Sequence, residues 1–398
     1  MATGRDFRRT NWFSSRGLVK CHRRIEVSRA RTMHKWINKS FDYFNSKSPV
    51  LIQTPRANSF GNCAEEMYFG LLKAKREGKK VLFLFHQHPL FWKFALPIRN
   101  KELLHLESDY VVSNDNWYGF LGGWLLTVAF SLMRVTYMLW RYVRPRSISR
   151  RIWPRIPAVV TPFDHRYSRP TIGRSTLWKP EGVNYFSWDT VAACGWEEQF
   201  KEYQPPWLRQ EKHRYAEDLR VQMGIPLTDW FICLHVREGG YRGDAGSARN
   251  SSVQNYIEGI KAITAAGGWV VRIGDPTMTP LSPMERVIDC RHSGYKSELL
   301  DMYLISQCDL FIGTNSGPSD VATLFGKPMI LVNATEWSIG FPMKKGDLAI
   351  MKHTFSRSLN RFLSIRETLE EPFSWQVFGH GSDEYVRAEN TPEEIRDV

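Results

Sequence analysis

The chain has 398 residues, of which 42% are hydrophobic and 13% aromatic, and this composition excludes an intrinsically disordered protein. The formal net charge is +13, but residues 1–155 hold 28 basic and 10 acidic side chains, while residues 156–398 hold 26 and 31. This uneven distribution argues against a general nucleic-acid binder and favours one localised anionic surface as a partner.

The six cysteines lie far apart in the sequence, with no C-x-x-C pair among them. Their spacing argues against a zinc knuckle and against a disulfide framework, and it predicts a protein of a reducing compartment. The first thirty residues are rich in arginine and lack the apolar core of a signal peptide. We therefore expect a cytoplasmic protein.

In the first half of the chain, a basic arm (residues 1–48) precedes a predicted strand, Pro49–Thr54. Cys63–Lys80 then places apolar residues at helical spacing, with acidic residues in its first turn and lysines in its last. A second apolar run, Val81–Phe85, completes a βαβ unit. We expect a first lobe over residues 49–205.

Residues 116–155 combine an apolar run with a basic one. Eighteen uncharged residues, 116–133, precede six arginines between residues 141 and 155, and eighteen is the lower bound for crossing a bilayer. Trp117, Trp124 and Trp140 suit a membrane interface, while a buried core helix and a span are the alternatives. The basic bias of this half favours contact with an anionic membrane surface.

The second half alternates apolar runs with amphipathic segments. Strands are predicted at Trp230–Val236, Trp269–Ile273, Val287–Cys290, Asp309–Gly313 and Pro328–Val332, and helices at Val253–Ala266, Ser297–Gln307 and Ser319–Phe325. This alternation predicts a parallel sheet covered on both faces. Because a Pro-bearing linker near residues 198–209 separates the halves, we predict an α/β fold with two Rossmann-like lobes facing a central cleft. The second lobe would span residues 206–375, with a polar tail over 376–398.

A first polar cluster follows the strand Trp230–Val236. Its members are polar side chains interspersed with glycines: His235, Arg237, Tyr241, Arg242, Asp244, Arg249 and Asn250. Ligands bind beyond the carboxyl ends of parallel strands, and arginines present planar sets of donors that match phosphate oxygens. The cluster predicts an anion-binding loop, the alternative being a surface loop whose arginines pair with Glu238 and Asp244.

A second polar cluster, Thr314, Asn315, Ser316 and Gly317, follows the strand Asp309–Gly313. Small hydroxyl residues and a glycine at a helix start leave backbone N–H groups available to a negative oxygen, so this turn predicts a phosphate cradle. An ordinary capped turn is the alternative. Asp275, in the turn between the two clusters, is a candidate for holding a ribose hydroxyl.

The sequence contains no Asp-x-Asp triplet, no H-E-x-x-H motif and no Walker motif. His86 and His88 flank Gln87 at a strand end, where polar termination is the simpler interpretation. We therefore expect no metal and no cofactor. A diphosphate bound without a metal needs side-chain cations and helix dipoles instead.

Several tracts together resemble a known family. Four tracts of the second half resemble the C-terminal lobe of a bacterial family of GT-B glycosyltransferases, distantly similar to fucosyltransferases with an H-x-R-R-G-D motif. These tracts are HVREGGYRGD, GGWVVRIGDP, KSELLDMYL and FIGTNSGPSDVATLFGKP. ANSFGNCAEEMYFGLLKAKREGKKV is similar to that family's amino-terminal lobe, and MKKGDLAI with Lys352 and Glu367 fits its tail. The chain departs from the motif at Glu238, which replaces the second arginine, and by three inserted residues before Arg242.

The resemblance implies a GT-B enzyme whose second lobe binds a nucleotide-sugar donor. Arg237 and Arg242 would contact the diphosphate, with Lys296 also in the donor site and the Ser316-Gly317 turn as the cradle. The enzyme would add a sugar to a glycan or lipid-linked glycan in cell-surface polysaccharide synthesis, without a metal, peripherally on the inner face of the cell membrane.

A transfer reaction also needs a base that takes the acceptor proton. The candidates in the first lobe are Glu66, with its neighbour Glu65, and the pair Asp164 and His165. A nucleotide-sugar epimerase or hydrolase of the same fold is an alternative that needs no glycan acceptor. An RNA- or polyphosphate-binding protein is a third, disfavoured because the sequence lacks aromatic-plus-glycine RNA signatures.

Overall fold

The computed structural model describes residues 47–53, 55, 59–83, 99–112, 121, 125, 178–179, 182–183, 201, 203–240, 243, 245–335, 346–369 and 384–398. All described residues from Pro49 onward belong to one compact unit.

The predicted βαβ unit is present near the start of this unit. Strand β1 (Val50–Gln53), helix α1 (Phe60–Arg76) and strand β2 (Lys80–Phe83) follow one another, and the two strands pair in parallel. The helix begins at Phe60, three residues before the predicted start. Its first turn therefore holds no acidic residue, and Glu65 and Glu66 lie in the second turn, which corrects the prediction.

A two-stranded antiparallel hairpin, β3 (Trp178–Lys179) with β4 (Gly182–Val183), is the next described pair of strands. Helix α2 (Gln210–Gln222) follows the linker and was not predicted. Only Ala216 and Arg220 of this helix are buried, so its apolar stripe is too weak to stand out in the sequence.

The second lobe is built on a six-stranded parallel sheet, which confirms the α/β class. Its strands are β5 (Phe231–His235), β6 (Trp269–Arg272), β7 (Val287–Asp289), β8 (Leu310–Gly313), β9 (Met329–Ala334) and β10 (Leu348–Met351). Their spatial order is β10-β9-β8-β5-β6-β7, with every neighbouring pair parallel. Every residue of the central strand β5 is buried, as its continuous apolar sequence predicts.

Three helices connect these strands: α3 (Ile257–Ala265), α4 (Glu298–Gln307) and α5 (Gly317–Leu324). The Ser297 side chain caps α4 by accepting a hydrogen bond from the Leu300 amide at 3.0 Å. The segment predicted as one helix over 253–266 is divided, because a 3₁₀ turn at Val253–Tyr256 precedes α3.

The C-terminal residues form a small antiparallel sheet instead of a separate tail. Strands β11 (His353–Ser356) and β12 (Arg361–Phe362) precede helix α6 (Ile365–Leu369), and strand β13 (Tyr385–Ala388) pairs with β11. Helix α7 (Pro392–Asp397) then packs its Ile395 against Gly259 of α3. Residues 384–398 are thus part of the second lobe, although a polar tail was expected there.

One hydrophobic core joins the βαβ unit to the large sheet. It includes Met67 and Leu71 of α1, Leu324 of α5 and Phe311 of β8. At the helix starts, a Cβ atom built on Gly61 would lie 2.6 Å from the Gly317 Cα and 2.2 Å from an Asp320 carboxylate oxygen. Only glycine at position 61 therefore lets α1 approach α5 this closely.

Candidate functional site

The order of the six strands creates a switch point between β5 and β8. From β5 the chain proceeds outward through β6 and β7, and it then returns to build β8, β9 and β10 on the other side. Ligands of open parallel sheets bind outside the carboxyl ends of the strands at such a point. His235 ends β5 and Gly313 ends β8, so the two predicted polar clusters meet here.

Three hydrogen-bond contacts join the two clusters. The Thr314 amide donates to the His235 carbonyl at 3.1 Å, and the Arg237 amide donates to the Thr314 hydroxyl at 3.1 Å. The Ser316 hydroxyl lies 3.0 Å from His235 Nδ1. A Cβ on Gly313 would stand 2.6 Å from the His235 carbonyl oxygen, so a glycine is required between the strand ends.

The electrostatic environment of His235 is positive. Burial, and after it the nearby charges of Lys296, Arg272 and Arg237, together lower the pKa of His235 to about 3, against an opposing effect of Asp275. The imidazole is therefore neutral at physiological pH. Three cations around one buried neutral ring make this crevice favourable for an anion.

Arg237 is held in place by the loop that follows it. Its Nε atom donates to the Asn250 side-chain oxygen at 3.1 Å, and the Ser251 amide donates to the Arg237 carbonyl at 2.8 Å. Arg249 lies half-buried in the same loop, and its guanidinium pairs with no side chain in the part of the chain that the structure describes. Lys296 forms a short ion pair with Asp301 of α4 and also lies near His235.

Among the described residues, the partners of Glu238 lie outside its own loop. It accepts a hydrogen bond at 2.6 Å from Arg272, a fully buried side chain at the end of β6, and two further bonds at 2.7 Å from Thr279. Arg272 also reaches Asp289 at 3.2 Å. In the described residues Glu238 therefore joins the loop after β5 to the loop after β6, while Arg242 and Asp244 lie outside them and leave the self-paired loop untested.

In the second cluster, two buried side chains fix the turn after β8, and the next two residues begin helix α5. Thr314 is fully buried, and the Asn315 side chain accepts from the Thr335 amide at 2.9 Å, so both residues hold the turn. The Ser316 amide donates to the Ser319 hydroxyl at 3.2 Å, which caps α5. Gly317 begins α5 and touches Gly61.

Asp275 lies half-buried after β6. One of its carboxylate oxygens accepts from the Thr277 amide at 2.9 Å and from the Thr277 hydroxyl at 2.5 Å, which closes the Gly-Asp-Pro turn. Its proximity to His235 places this carboxylate at the edge of the same crevice.

The predicted catalytic residues are not brought together by the described part of the structure. Glu66 is 2% exposed within the core around α1, and this burial argues against contact with an acceptor hydroxyl. Asp164 and His165 lie outside the described residues, as do Tyr241, Arg242 and Asp244 of the first cluster. The roles assigned to all these residues remain predictions.

Two residues far along the chain support the site, one of which sequence reasoning missed. Buried Lys352 donates from Nζ to the Asn250 carbonyl at 2.5 Å, and burial lowers its pKa. Glu389 accepts from the Ser251 hydroxyl and the Ser252 amide, each at 2.9 Å, and from the Asn255 side chain at 2.8 Å. The resemblance pointed to Lys352, but no sequence signal marked Glu389.

Neither a metal site nor a membrane span is found in the described ranges. No three His, Cys, Asp or Glu side chains among these residues are grouped so as to hold a metal ion. No helix within the same ranges has the length and apolar character needed to cross a bilayer. Of the apolar stretch 116–140, only Leu121 and Leu125 are described, both helical and exposed.

No family model and no curated protein matches the sequence. Among solved structures, the chain is similar to a glycosyl transferase family 9 protein from Veillonella parvula, at 12% identity and a TM-score of 0.39, over 75% of this chain and 85% of the other. The chain is also similar to the E. coli ADP-heptose LPS heptosyltransferase II, at 13% identity and a TM-score of 0.38, over 76% of this chain and 89% of the other.

The NodZ α-1,6-fucosyltransferase soaked with GDP-fucose gives 15% identity and a TM-score of 0.33, over 71% of this chain and 94% of the other. All three similarities are too distant to assign an activity to this chain.

Proposed function

We propose that the chain is a GT-B glycosyltransferase that uses a nucleotide-sugar donor and acts without a metal. The observation that supports this most is the positive crevice beyond β5 and β8, where a buried neutral His235 is surrounded by Arg237, Arg272 and Lys296. A crevice at a switch point that brings Arg237 and Arg249 next to a helix start suits a nucleoside diphosphate.

The donor would lie across the ends of β5 and β8. Arg237, Arg249 and Lys296 would contact the diphosphate oxygens, together with Arg242. The start of α5 at Ser316-Gly317 would direct the Gly317 N–H at one phosphate, since the Ser316 amide is bound to Ser319. Asp275 would accept a hydrogen bond from a ribose hydroxyl.

Catalysis would depend on stabilising the leaving nucleoside diphosphate. Negative charge grows on the diphosphate as the bond between the donor's sugar and its diphosphate breaks. Cations already fixed in the crevice would stabilise that charge without having to move. The acceptor hydroxyl would lose its proton to a base. Asp164 with His165 is our preferred base, since Glu66 is buried.

The acceptor would be a glycan or a lipid-linked glycan of cell-surface polysaccharide synthesis. We place the enzyme at the inner face of the cell membrane, because the apolar run and the arginines of residues 116–155 suit an anionic interface.

The proposal is tested by nucleotide binding to the full chain in excess EDTA. A nucleoside diphosphate at a hundredfold its Kd should raise the free energy of unfolding by about 2.7 kcal/mol. Arg237→Ala and Arg249→Ala should each weaken binding about ten- to a hundredfold, because each removes charge-assisted hydrogen bonds.

Arg214→Ala, on the exposed surface of α2, is the matched control and should bind like the wild type. The proposal is wrong if no nucleoside diphosphate stabilises the wild type, or if both site variants bind as tightly as it does. Loss of binding in EDTA with rescue by Mg²⁺ or Mn²⁺ would contradict the metal-independent part.

A further inference from the structure

The Glu389 carboxylate lies beside the crevice that we expect to bind an anion. Three donors converge on one of its oxygens: the Ser251 hydroxyl and the Ser252 amide, each at 2.9 Å, and the Asn255 side chain at 2.8 Å. The two serines end the loop that follows β5, which carries Arg237. A negative charge close to an anion site weakens anion binding by Coulomb repulsion, so Glu389 would reduce the affinity for a diphosphate unless it also acts in another way.

Strand register fixes Glu389 next to a buried cation. Ala388 of β13 stands opposite His353 of β11, so the next residues outward, Glu389 and Lys352, are opposite each other as well. Lys352 Nζ lies 3.9 Å from a Glu389 carboxylate oxygen and donates to the Asn250 carbonyl at 2.5 Å. Lys352 and Glu389 therefore hold consecutive residues at the end of the same loop.

The orientation of Arg237 depends on those consecutive residues. Its Nε atom donates to the Asn250 side-chain oxygen at 3.1 Å, and its carbonyl accepts from the Ser251 amide at 2.8 Å. An arginine that is already held in one orientation loses less side-chain entropy when it binds a ligand. The carboxylate that fixes Ser251 thus acts on the guanidinium of Arg237 through the loop.

We propose that Glu389 is a positioning residue for the nucleotide-sugar donor, which it favours by holding Arg237 in the orientation that meets the diphosphate. The inference rests on the proposed function, since it takes the diphosphate as the ligand of Arg237. It differs in sign from a purely electrostatic effect. Removing the negative charge alone would tighten anion binding, whereas removing the hydrogen bonds to the loop weakens it.

The test measures the affinity of the full chain for ADP, GDP and UDP by titration calorimetry. Glu389→Ala should bind the preferred nucleotide about tenfold more weakly, because the loop loses its acceptor and Arg237 its fixed orientation. Glu389→Asp keeps the charge but withdraws the carboxylate by one methylene, so it should also bind more weakly than the wild type. Glu393→Ala, which removes an exposed carboxylate of α7, is the matched control and should bind like the wild type.

A double-mutant cycle with Arg237→Ala shows whether Glu389 acts through that arginine. In the Arg237→Ala background, Glu389→Ala should change the affinity by less than about twofold, because the side chain that it positions is already absent. Glu389→Asp serves in the same cycle if Glu389→Ala does not fold. Equal losses of affinity in both backgrounds would overturn the proposal, since a general loosening of the structure acts without Arg237.

The outcomes separate this inference from the proposed function. If none of the three nucleotides binds the wild type, both fail. If Arg237→Ala weakens binding while the Glu389 variants bind as tightly as the wild type or more tightly, the diphosphate site stands and the positioning role of Glu389 is overturned.

Discussion

At the scale of single residues, the site is defined by a histidine that stays neutral. Imidazole ordinarily titrates near pH 6.5, but burial under Ser316 and among three cations lowers the pKa of His235 to about 3. Burial is the larger cause of this low pKa, and the positive charges nearby add to it. The same charges would favour the proposed diphosphate, so the pKa of His235 reports in part on the electrostatics of the crevice.

The depressed pKa predicts how stability depends on pH. Between pH 6.5 and about 3 the unfolded chain binds a proton that folded His235 does not, so the free energy of unfolding falls on acidification by up to about 1.4 kcal/mol per pH unit. Above pH 6.5 His235 is neutral in both states and does not change the unfolding free energy with pH. The variant His235→Asn should therefore show a smaller change of unfolding free energy with pH between about pH 3 and pH 6.5.

Urea unfolding at half-unit steps of pH measures this slope. The exposed His292→Asn variant controls for the substitution itself and should keep the wild-type slope. If His235→Asn keeps the wild-type slope of unfolding free energy against pH, the pKa of His235 is not lowered in the folded protein.

At the scale of elements, the loop that follows β5 and ends at Ser252, here called the donor loop after its proposed ligand, depends on a buried polar network at the end of β9. Asn333 has a positive φ of 54°, and it exchanges hydrogen bonds with Asn390 in both directions, at 2.8 and 2.6 Å. The Asn333 side chain also donates to Ser251 at 2.9 Å and to Tyr256 at 3.2 Å. The strand end, the donor loop and the segment after β13 are therefore held as one assembly.

Asn390→Ala should destabilise the protein by about 2–4 kcal/mol, because it leaves the buried Asn333 amide and the Met351 carbonyl without their partners. Chemical denaturation measures the change. Gln254→Ala, on the exposed side of the adjoining 3₁₀ turn, should stay within about 0.5 kcal/mol of the wild type. A similar small effect for Asn390→Ala would mean that the network carries little stability.

The strands with long apolar runs could be predicted from the sequence. The buried strands β5, β6, β8 and β9 are continuous apolar runs, and each was predicted to within two residues at either end. Strands β11 to β13 were missed because each has at most four residues, too few for a clear apolar pattern, and because β13 pairs with a strand distant in the sequence. Likewise, the clusters at the ends of β5 and β8 were visible in the sequence, but the hydrogen bonds that Ser251 and Ser252 donate to Glu389 exist only in the folded chain.

At the scale of the whole molecule, the described part of the first lobe is continuous with the second. Their shared core and the contact between Gly61 and Gly317 leave no solvent layer between α1 and α5. The two helices are therefore expected to lose their structure together.

Gly61→Ala tests this coupling. The added methyl group would collide with Asp320 and Gly317, so we expect a loss of about 1–3 kcal/mol. Hydrogen exchange should show reduced protection in both α1 and the β8–α5 segment. Gly246→Ala, where a Cβ meets nothing within 4 Å, is the control. Reduced protection confined to α1 would show that the two helices unfold independently.

The contact between Glu389 and the donor loop also bears on how the protein is made. Ser251 and Glu389 are 138 residues apart, and the chain is synthesised from its amino terminus. While residues 252 to 388 are being translated, the strands of the large sheet can pair, but the loop beside Arg237 has no carboxylate to receive its Ser251 and Ser252 donors. A nascent chain on the ribosome therefore carries this loop without its carboxylate partner until Glu389, the residue after the last strand, has emerged.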